Sequence, residues 1–154
     1  YKRQLTHLLS NITVSNGIAF SENENIMYFA DTPTCRIQKF EYTKNFNKFY
    51  ELDANMIFKN VGEPDGATVD KDNNYWSARV RGKCIICVDT KDETIIEKIS
   101  LPTNTPTCVT FGGANLNSLY ITSLRADPTS DNEGGNLHKI ETSTQGRAQL
   151  LADI

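Results

Sequence analysis

The sequence lacks long hydrophobic runs, an excess of basic charge and clusters of histidine. No apolar stretch approaches the ~20 residues that a transmembrane helix needs, so we expect no membrane partner. The 16 Lys and Arg residues against 19 Asp and Glu give a formal net charge of -3. This balance argues against a nucleic-acid partner, because nucleic-acid binding needs a basic face that neutralises phosphates. What remains is an acidic globular protein with the length of about one average domain.

A sustained helical period is also absent. Short apolar runs, rich in β-branched and aromatic residues, alternate with clusters of Gly, Asn, Asp and Pro. This pattern is typical of an all-β fold. The 15 asparagines among 154 residues favour turns over long helices. We therefore expect an all-β domain built from many short strands.

Four cysteines include one C-x-x-C pair, Cys84 and Cys87. A zinc site needs a second such pair or histidines at ligand spacing, and His7 and His138 stand far apart. A thioredoxin-like motif opens a helix after a strand, whereas Cys-Ile-Ile-Cys-Val is typical of a strand. Alternation along a strand puts Cys84 and Cys87 on opposite faces. We expect core cysteines rather than a metal or redox site, and reduced thiols favour a cytoplasmic protein.

The short runs recur as three larger units, each of about four predicted strands. Gly17, Gly66 and Cys108 hold equivalent positions at the start of the units, 49 and 42 residues apart. Four short strands at that period are typical of a β-propeller blade, which buries its two faces by stacking on neighbouring blades. A β-sandwich also has many short strands, but it does not require such repeats. We therefore expect one partial β-propeller domain over residues 1–154, with blades at roughly 12–53, 61–100 and 104–152.

Three blades are too few for a closed ring, since propellers typically carry about four to eight blades. We expect this chain to be a piece of a longer protein, roughly its C-terminal half. A site in the central channel would then be only partly formed by these residues.

The leading position of each predicted blade holds a polar residue: Asn16, Asp65 and Thr107. Asn-Gly and Asp-Gly are common dipeptides of tight turns, so a turn explains each when it is taken alone. Both dipeptides stand at the same register of successive units, directly before a strand, and this favours side chains that meet at one axis. An amide carbonyl and a carboxylate offer oxygen ligands for a hard divalent cation such as Ca²⁺, Mg²⁺ or Mn²⁺. Two ligands do not make a tight site, so we expect at least one more acidic ligand from elsewhere in the protein.

Several motifs around these residues occur in a fixed order along the chain. The early motifs are Ser15–Ser21, Met27–Asp31, Pro64–Asp70 and Asn73–Ala78. The later motifs are Leu101-Pro102, Phe111-Gly112-Gly113, Leu119–Ser123 and Gly134–Leu137. In this order, they resemble the senescence marker protein (regucalcin)/gluconolactonase/luciferin-regenerating-enzyme family. The likeness spans most of the chain, from Ile12 to about Ile140.

The resemblance implies a six-bladed β-propeller with one divalent metal ion in its channel: calcium, manganese, zinc or magnesium. Members of this family hydrolyse sugar lactones or related esters, and some act on organophosphates. By resemblance, Asn16 is a metal ligand, and Asp65 is both a metal ligand and the catalytic acid/base. The family's glutamate ligand and its substrate-binding Arg and Asn residues come from earlier blades, so they stay unassigned.

Two other functions stay open. The first is a non-catalytic propeller that binds calcium or a protein partner, because propellers host many functions. The second is a phosphotriesterase-like hydrolase on the same scaffold. A channel-facing Glu in the rest of the protein, with Arg and Asn near the mouth, would favour hydrolysis of a lactone or ester.

Three further features have structural explanations. Trp76 is expected in the core between blades. Arg79, Arg81 and Lys83 form a local basic cluster that predicts a solvated loop. The polar stretch 127–135 is expected to be a surface loop, with a lid over the channel mouth as the alternative.

Overall fold

The computed structural model describes residues 5–21, 25–43 and 49–148, and these form three antiparallel sheets. The first sheet contains β1 (Ser15–Phe20), β2 (Ile26–Asp31), β3 (Arg36–Tyr42) and β4 (Phe49–Ile57). The second contains β5 (Glu63–Val69), β6 (Tyr75–Val80), β7 (Cys84–Asp89) and β8 (Thr94–Ser100). The third contains β9 (Pro106–Gly112), β10 (Ser118–Ser123) and β11 (His138–Glu141). A short 3-10 helix, Thr32–Thr34, joins β2 to β3.

Each sheet is a meander in which strands that follow one another in the chain are paired. This connectivity is that of a propeller blade. A fourth strand of the third unit, predicted near 148–151, lies outside the described residues except for Ala148. Within the described part of the chain, no helix is long and apolar enough to cross a membrane.

Burial differs between the central and outer strands of a blade. All six residues of β2 are buried, and so are the first five residues of β7. Every residue of β8, at the outer edge of the second sheet, is at least partly exposed. The central strands β2 and β7 therefore carry nearly continuous apolar runs, because both of their faces are covered.

Apolar cores join the faces of adjacent blades. The core between the first two blades includes Tyr28, Ile37, Met56, Tyr75, Ile86 and Val88. The core between the second and third blades includes Trp76, Ile85, Val109, Leu119 and Ile121. Cys84 belongs to the first core and Cys87 to the second, and both are free thiols. The prediction of core cysteines on opposite strand faces is confirmed.

A buried aspartate fixes the turn between β5 and β6. Asp70 accepts hydrogen bonds at 2.9 Å from the backbone N–H groups of Asp72 and Asn74. It also accepts a hydrogen bond at 2.9 Å from Nε1 of Trp76. The Trp76 side chain is 1% exposed, and its ring meets Phe111 of the third blade edge-on, with centroids 5.6 Å apart. The prediction that Trp76 lies in the core between blades is confirmed.

The predicted solvated cluster is wrong for Arg79. Its side chain is fully buried, whereas Arg81 and Lys83 are exposed. Nη2 of Arg79 donates to the carbonyl oxygens of Phe58, at 2.8 Å, and Gly62, at 2.6 Å, in the segment that joins the first two blades. Burial lowers the pKa of the Arg79 guanidinium. The interpretation failed because β6 continues through this residue, inside a sheet whose faces are covered.

Candidate metal-binding and catalytic site

The first strands of the three blades, β1, β5 and β9, lie at the inner edge of the structure. β1 packs beside β5, and β5 packs beside β9. The pairing register of each first strand shifts close to its start, so each carries a β-bulge. A bulge adds one residue to a strand and changes the direction of the side chains around it. The bulges lie at or next to the three leading residues predicted from the sequence, Asn16, Asp65 and Thr107.

Asn16 and Asp65 are brought together across adjacent blades. The Asn16 side chain and the backbone N–H of Gly66 lie close enough to the Asp65 carboxylate to favour its ionised form, and the Asp65 carbonyl oxygen is 3.3 Å from the Cβ position of Gly17 on β1. Burial raises the pKa of Asp65, and the nearby Gly66 N–H and Asn16 side chain offset part of this rise. Because the Asn-Gly and Asp-Gly dipeptides lie within β1 and β5, the tight-turn interpretation is wrong for both.

Two glycines allow the first strands to approach this closely. Gly17 has a φ of +59°, and a Cβ there would lie 2.3 Å from the hydroxyl of Tyr75. A Cβ on Gly66 would lie 2.6 Å from Sγ of Cys108 on the next blade. Only glycine fits such contacts without a shift of the neighbouring strand. The glycine after each candidate ligand is therefore explained by packing between blades.

A cavity of about 400 Å³ opens at this point of the inner edge. Its lining residues come from all three first strands and from β2: Ser15, Asn16, Gly17, Ile18, Phe29, Gly66, Ala67 and Cys108. A second cavity, of about 320 Å³, continues along the same three strands and is also bordered by Arg147. Asn16 therefore lies on the wall of a space that is large enough for a small ligand.

Thr107 occupies the corresponding position of the third blade without joining the pair. Its Oγ1 is 2.9 Å from Oγ1 of Thr122, so the two hydroxyls hydrogen-bond within their own sheet. Its backbone carbonyl oxygen lies 2.8 Å from the Cβ position of Gly66, which puts the third blade directly against the second. The three leading residues therefore follow one another across the blades, and two of them are in contact.

Two residues that the sequence analysis missed hold this arrangement. Oγ1 of Thr32 accepts a hydrogen bond at 3.0 Å from Nδ2 of Asn16 and donates one at 2.8 Å to the carbonyl oxygen of Pro64. The buried hydroxyl of Tyr75 donates at 2.7 Å to the carbonyl oxygen of Gly17. Thr32 directly follows Asp31, and Asp31 pairs with Ser15 in the hairpin of β1 and β2. This pairing brings Thr32 close to Asn16.

The donor set fits part of a cation site. The amide nitrogen Nδ2 of Asn16 donates to Oγ1 of Thr32. This leaves the amide carbonyl oxygen of Asn16 as the group that can bind a ligand. Among the described residues, no group of three or more His, Cys, Asp or Glu side chains is placed to hold a metal ion. Ca²⁺ takes about six to eight oxygen ligands, so the pair would supply only some of them.

The loop between β10 and β11 lies at the same end of the third blade as Thr107. β10 ends opposite Pro106, at the start of β9. Asp131 within this loop is buried and accepts a hydrogen bond at 3.0 Å from Oγ1 of Thr103. The stretch 127–135 is therefore a mostly exposed loop that Asp131 anchors at the end of the third blade that holds Thr107.

The chain matches the SMP-30/Gluconolactonase/LRE-like region over residues 1–125. The protein belongs to this family of β-propellers, and the all-β propeller fold predicted from the sequence is confirmed. An uncharacterized protein of Sulfolobus acidocaldarius is 30% identical over 90% of this chain and 50% of its own length. The pentonolactonase XacC of Haloferax volcanii is 27% identical over 97% of this chain and 55% of its own. The putative sugar lactone lactonase YvrE of Bacillus subtilis is 29% identical over 92% and 51%.

Solved structures give the same classification. A regucalcin of Agrobacterium tumefaciens, described as a calcium-binding protein, matches with a TM-score of 0.86 and 25% identity. The match covers 99% of this chain and 54% of that one. A luciferin-regenerating enzyme matches with a TM-score of 0.76 and 30% identity, over 90% of this chain and 48% of that one. The chain thus spans about half the length of the relatives it matches.

Proposed function

We propose that the protein is a metal-dependent hydrolase of sugar lactones or related esters. The observation that carries this proposal is the contact between the Asp65 carboxylate and the Asn16 amide, beside a cavity at the inner edge of two blades. Relatives named pentonolactonase and sugar lactone lactonase support the substrate class. Because this chain spans about half the length of those relatives, the activity is proposed for the full-length protein.

On this proposal, Asn16 through its amide oxygen and Asp65 through its carboxylate hold one divalent cation. Oxygen donors favour calcium, magnesium or manganese over zinc, which takes nitrogen and sulfur ligands more often. When bound, the cation would polarise the lactone carbonyl. The remaining ligands, including the glutamate implied by the resemblance, are expected from outside these 154 residues.

Asp65 handles the proton of the attacking water. As the water oxygen bonds to the lactone carbonyl carbon, the carboxylate accepts its proton. When the bond from that carbon to the ring oxygen breaks, the same carboxyl group returns the proton to the leaving alkoxide. Ring opening leaves the new acid and alcohol groups on the same molecule, so one carboxyl group can serve both steps. Without the cation, burial raises the pKa of Asp65, and the charge of a bound cation would keep the carboxyl group ionised and able to accept the proton.

One comparison favours a second candidate, a calcium-binding propeller without hydrolytic activity. The Agrobacterium structure that matches 99% of this chain is described as a calcium-binding protein. The same two oxygen donors serve this function, since a cation site needs no proton acceptor.

An assay of the full-length protein separates these functions. The protein is stripped with a chelator, then supplied with calcium, manganese, magnesium or zinc, and acid release from an aldonolactone is measured. Loss of activity on stripping and its return with one cation support the proposed hydrolase. Calcium binding without hydrolysis of lactone, ester or organophosphate favours the second candidate. Faster hydrolysis of an organophosphate than of any lactone favours a phosphotriesterase-like enzyme.

A further inference from the structure

A single hydroxyl group lies between the two strands that carry the candidate ligands. Thr32 begins the 3-10 turn after β2, and its backbone N–H donates to the carbonyl of Val14 at 3.1 Å. Its Oγ1 is 3.0 Å from Nδ2 of Asn16 on β1 and 2.8 Å from the carbonyl oxygen of Pro64 on β5. Pro64 directly precedes Asp65, so this hydroxyl contacts both halves of the site.

The direction of these hydrogen bonds is fixed by their chemistry. A carbonyl oxygen only accepts, so the one hydroxyl proton of Thr32 is donated to Pro64. The hydroxyl oxygen must then accept from Asn16, which requires the amide nitrogen, and not the amide oxygen, to face Thr32. If the Asn16 amide were rotated by 180°, its oxygen would face the Thr32 hydroxyl. No hydrogen bond could then form, because the hydroxyl proton is already donated to Pro64.

We propose that Thr32 is a positioning residue of the candidate cation site, an inference that rests on the proposed function. Its hydroxyl selects the one orientation of the Asn16 amide that leaves the carbonyl oxygen for a cation. The same hydroxyl ties the start of β5 to β1, which sets the separation of Asn16 and Asp65. Thr32 contacts neither cation nor substrate and acts through these two ligands.

Removal of the hydroxyl is expected to weaken cation binding by about 10-fold, because partners that orient metal ligands typically contribute about 10–100-fold in affinity. In Thr32→Val, the side chain keeps its shape but leaves the Asn16 amide free to rotate. Thr32→Ser keeps the hydroxyl and is expected to bind with nearly wild-type affinity. Thr32→Ala is a second variant without the hydroxyl, so the result does not rest on one side chain.

The test is a calorimetric titration of the metal-free full-length protein with Mn²⁺, with a thermal melt of each metal-free variant. Thr94→Val, at an exposed position of the outer strand β8, is the matched control. The inference is supported if Thr32→Val and Thr32→Ala bind Mn²⁺ about 10-fold more weakly while the serine variant and the control do not. Wild-type affinity in both hydroxyl-free variants, with binding lost in Asp65→Asn, overturns the role of Thr32 alone. A wild-type protein that binds no Mn²⁺, Ca²⁺ or Mg²⁺ overturns the cation site and this inference together.

Discussion

Replacement of Asp65 by asparagine separates its proposed roles as a proton acceptor and as a metal ligand. The substitution keeps the size of the side chain but removes its charge and its basicity. Without a general base, lactone hydrolysis is expected to fall by about 10²–10⁴-fold. At about 1.36 kcal/mol for each tenfold, this loss corresponds to about 2.7–5.4 kcal/mol of transition-state stabilisation.

The same substitution lowers the rate of hydrolysis but is not expected to lower the stability of the metal-free fold. Burial raises the pKa of Asp65 in the folded state, so its ionised form lowers stability at neutral pH, and this cost disappears as pH falls. Asp65→Asn removes the charge at every pH. We therefore expect the metal-free variant to melt at or slightly above the wild-type temperature, since the oxygen of the asparagine side chain still accepts hydrogen bonds.

The assay is acid release from a lactone by the full-length protein at saturating Ca²⁺ or Mn²⁺. Asp72→Asn, which neutralises an exposed carboxylate in the β5–β6 turn, is the matched control and is expected to keep wild-type turnover. A variant that regains the wild-type rate at high metal concentration would show that Asp65 is only a ligand. Full activity at ordinary metal levels would refute any role for Asp65 in the site.

Two further predictions concern the packing that supports the site. Gly17→Ala is expected to lower the free energy of unfolding by about 1–3 kcal/mol in urea titrations. The reason is that φ is +59° at this residue and the new Cβ would lie 2.3 Å from the Tyr75 hydroxyl. Unchanged stability would contradict the close approach of the blades. Ile86→Ala, in the core between the first two blades, is expected to cost about 2–5 kcal/mol. Ile96→Ala, at a side chain that is 55% exposed, should change stability by less than about 0.5 kcal/mol, and equal losses at the two positions would mean that the blade faces are assigned incorrectly.

The blades could be predicted from the sequence because each depends on a local pattern. Alternation in Cys-Ile-Ile-Cys was enough to separate Cys84 and Cys87 onto two cores. The repeat register also brought Asn16 and Asp65 to equivalent positions of adjacent blades, far apart in the chain. Their roles as ligands and base stay predictions.

Contacts between segments that are distant in the chain could not be predicted from the sequence. Arg79 was expected in solvent because it forms a local basic cluster with Arg81 and Lys83. Its burial depends on carbonyl groups of the segment that joins the first two blades. The bulges in the first strands depend on the register of pairing, which the residue types do not specify. The proposed role of Thr32 depends on its hydrogen bond to the carbonyl oxygen of Pro64, a residue of the next blade.

The most direct test of the central claim is an anomalous-scattering map from crystals of the full-length protein grown with Ca²⁺. We expect one peak within about 2.3–2.6 Å of both the Asn16 amide oxygen and the Asp65 carboxylate. The remaining ligands should come from residues outside this chain segment and from water. A Ca²⁺ peak elsewhere, or a peak that contacts only one of these two residues, would contradict the account.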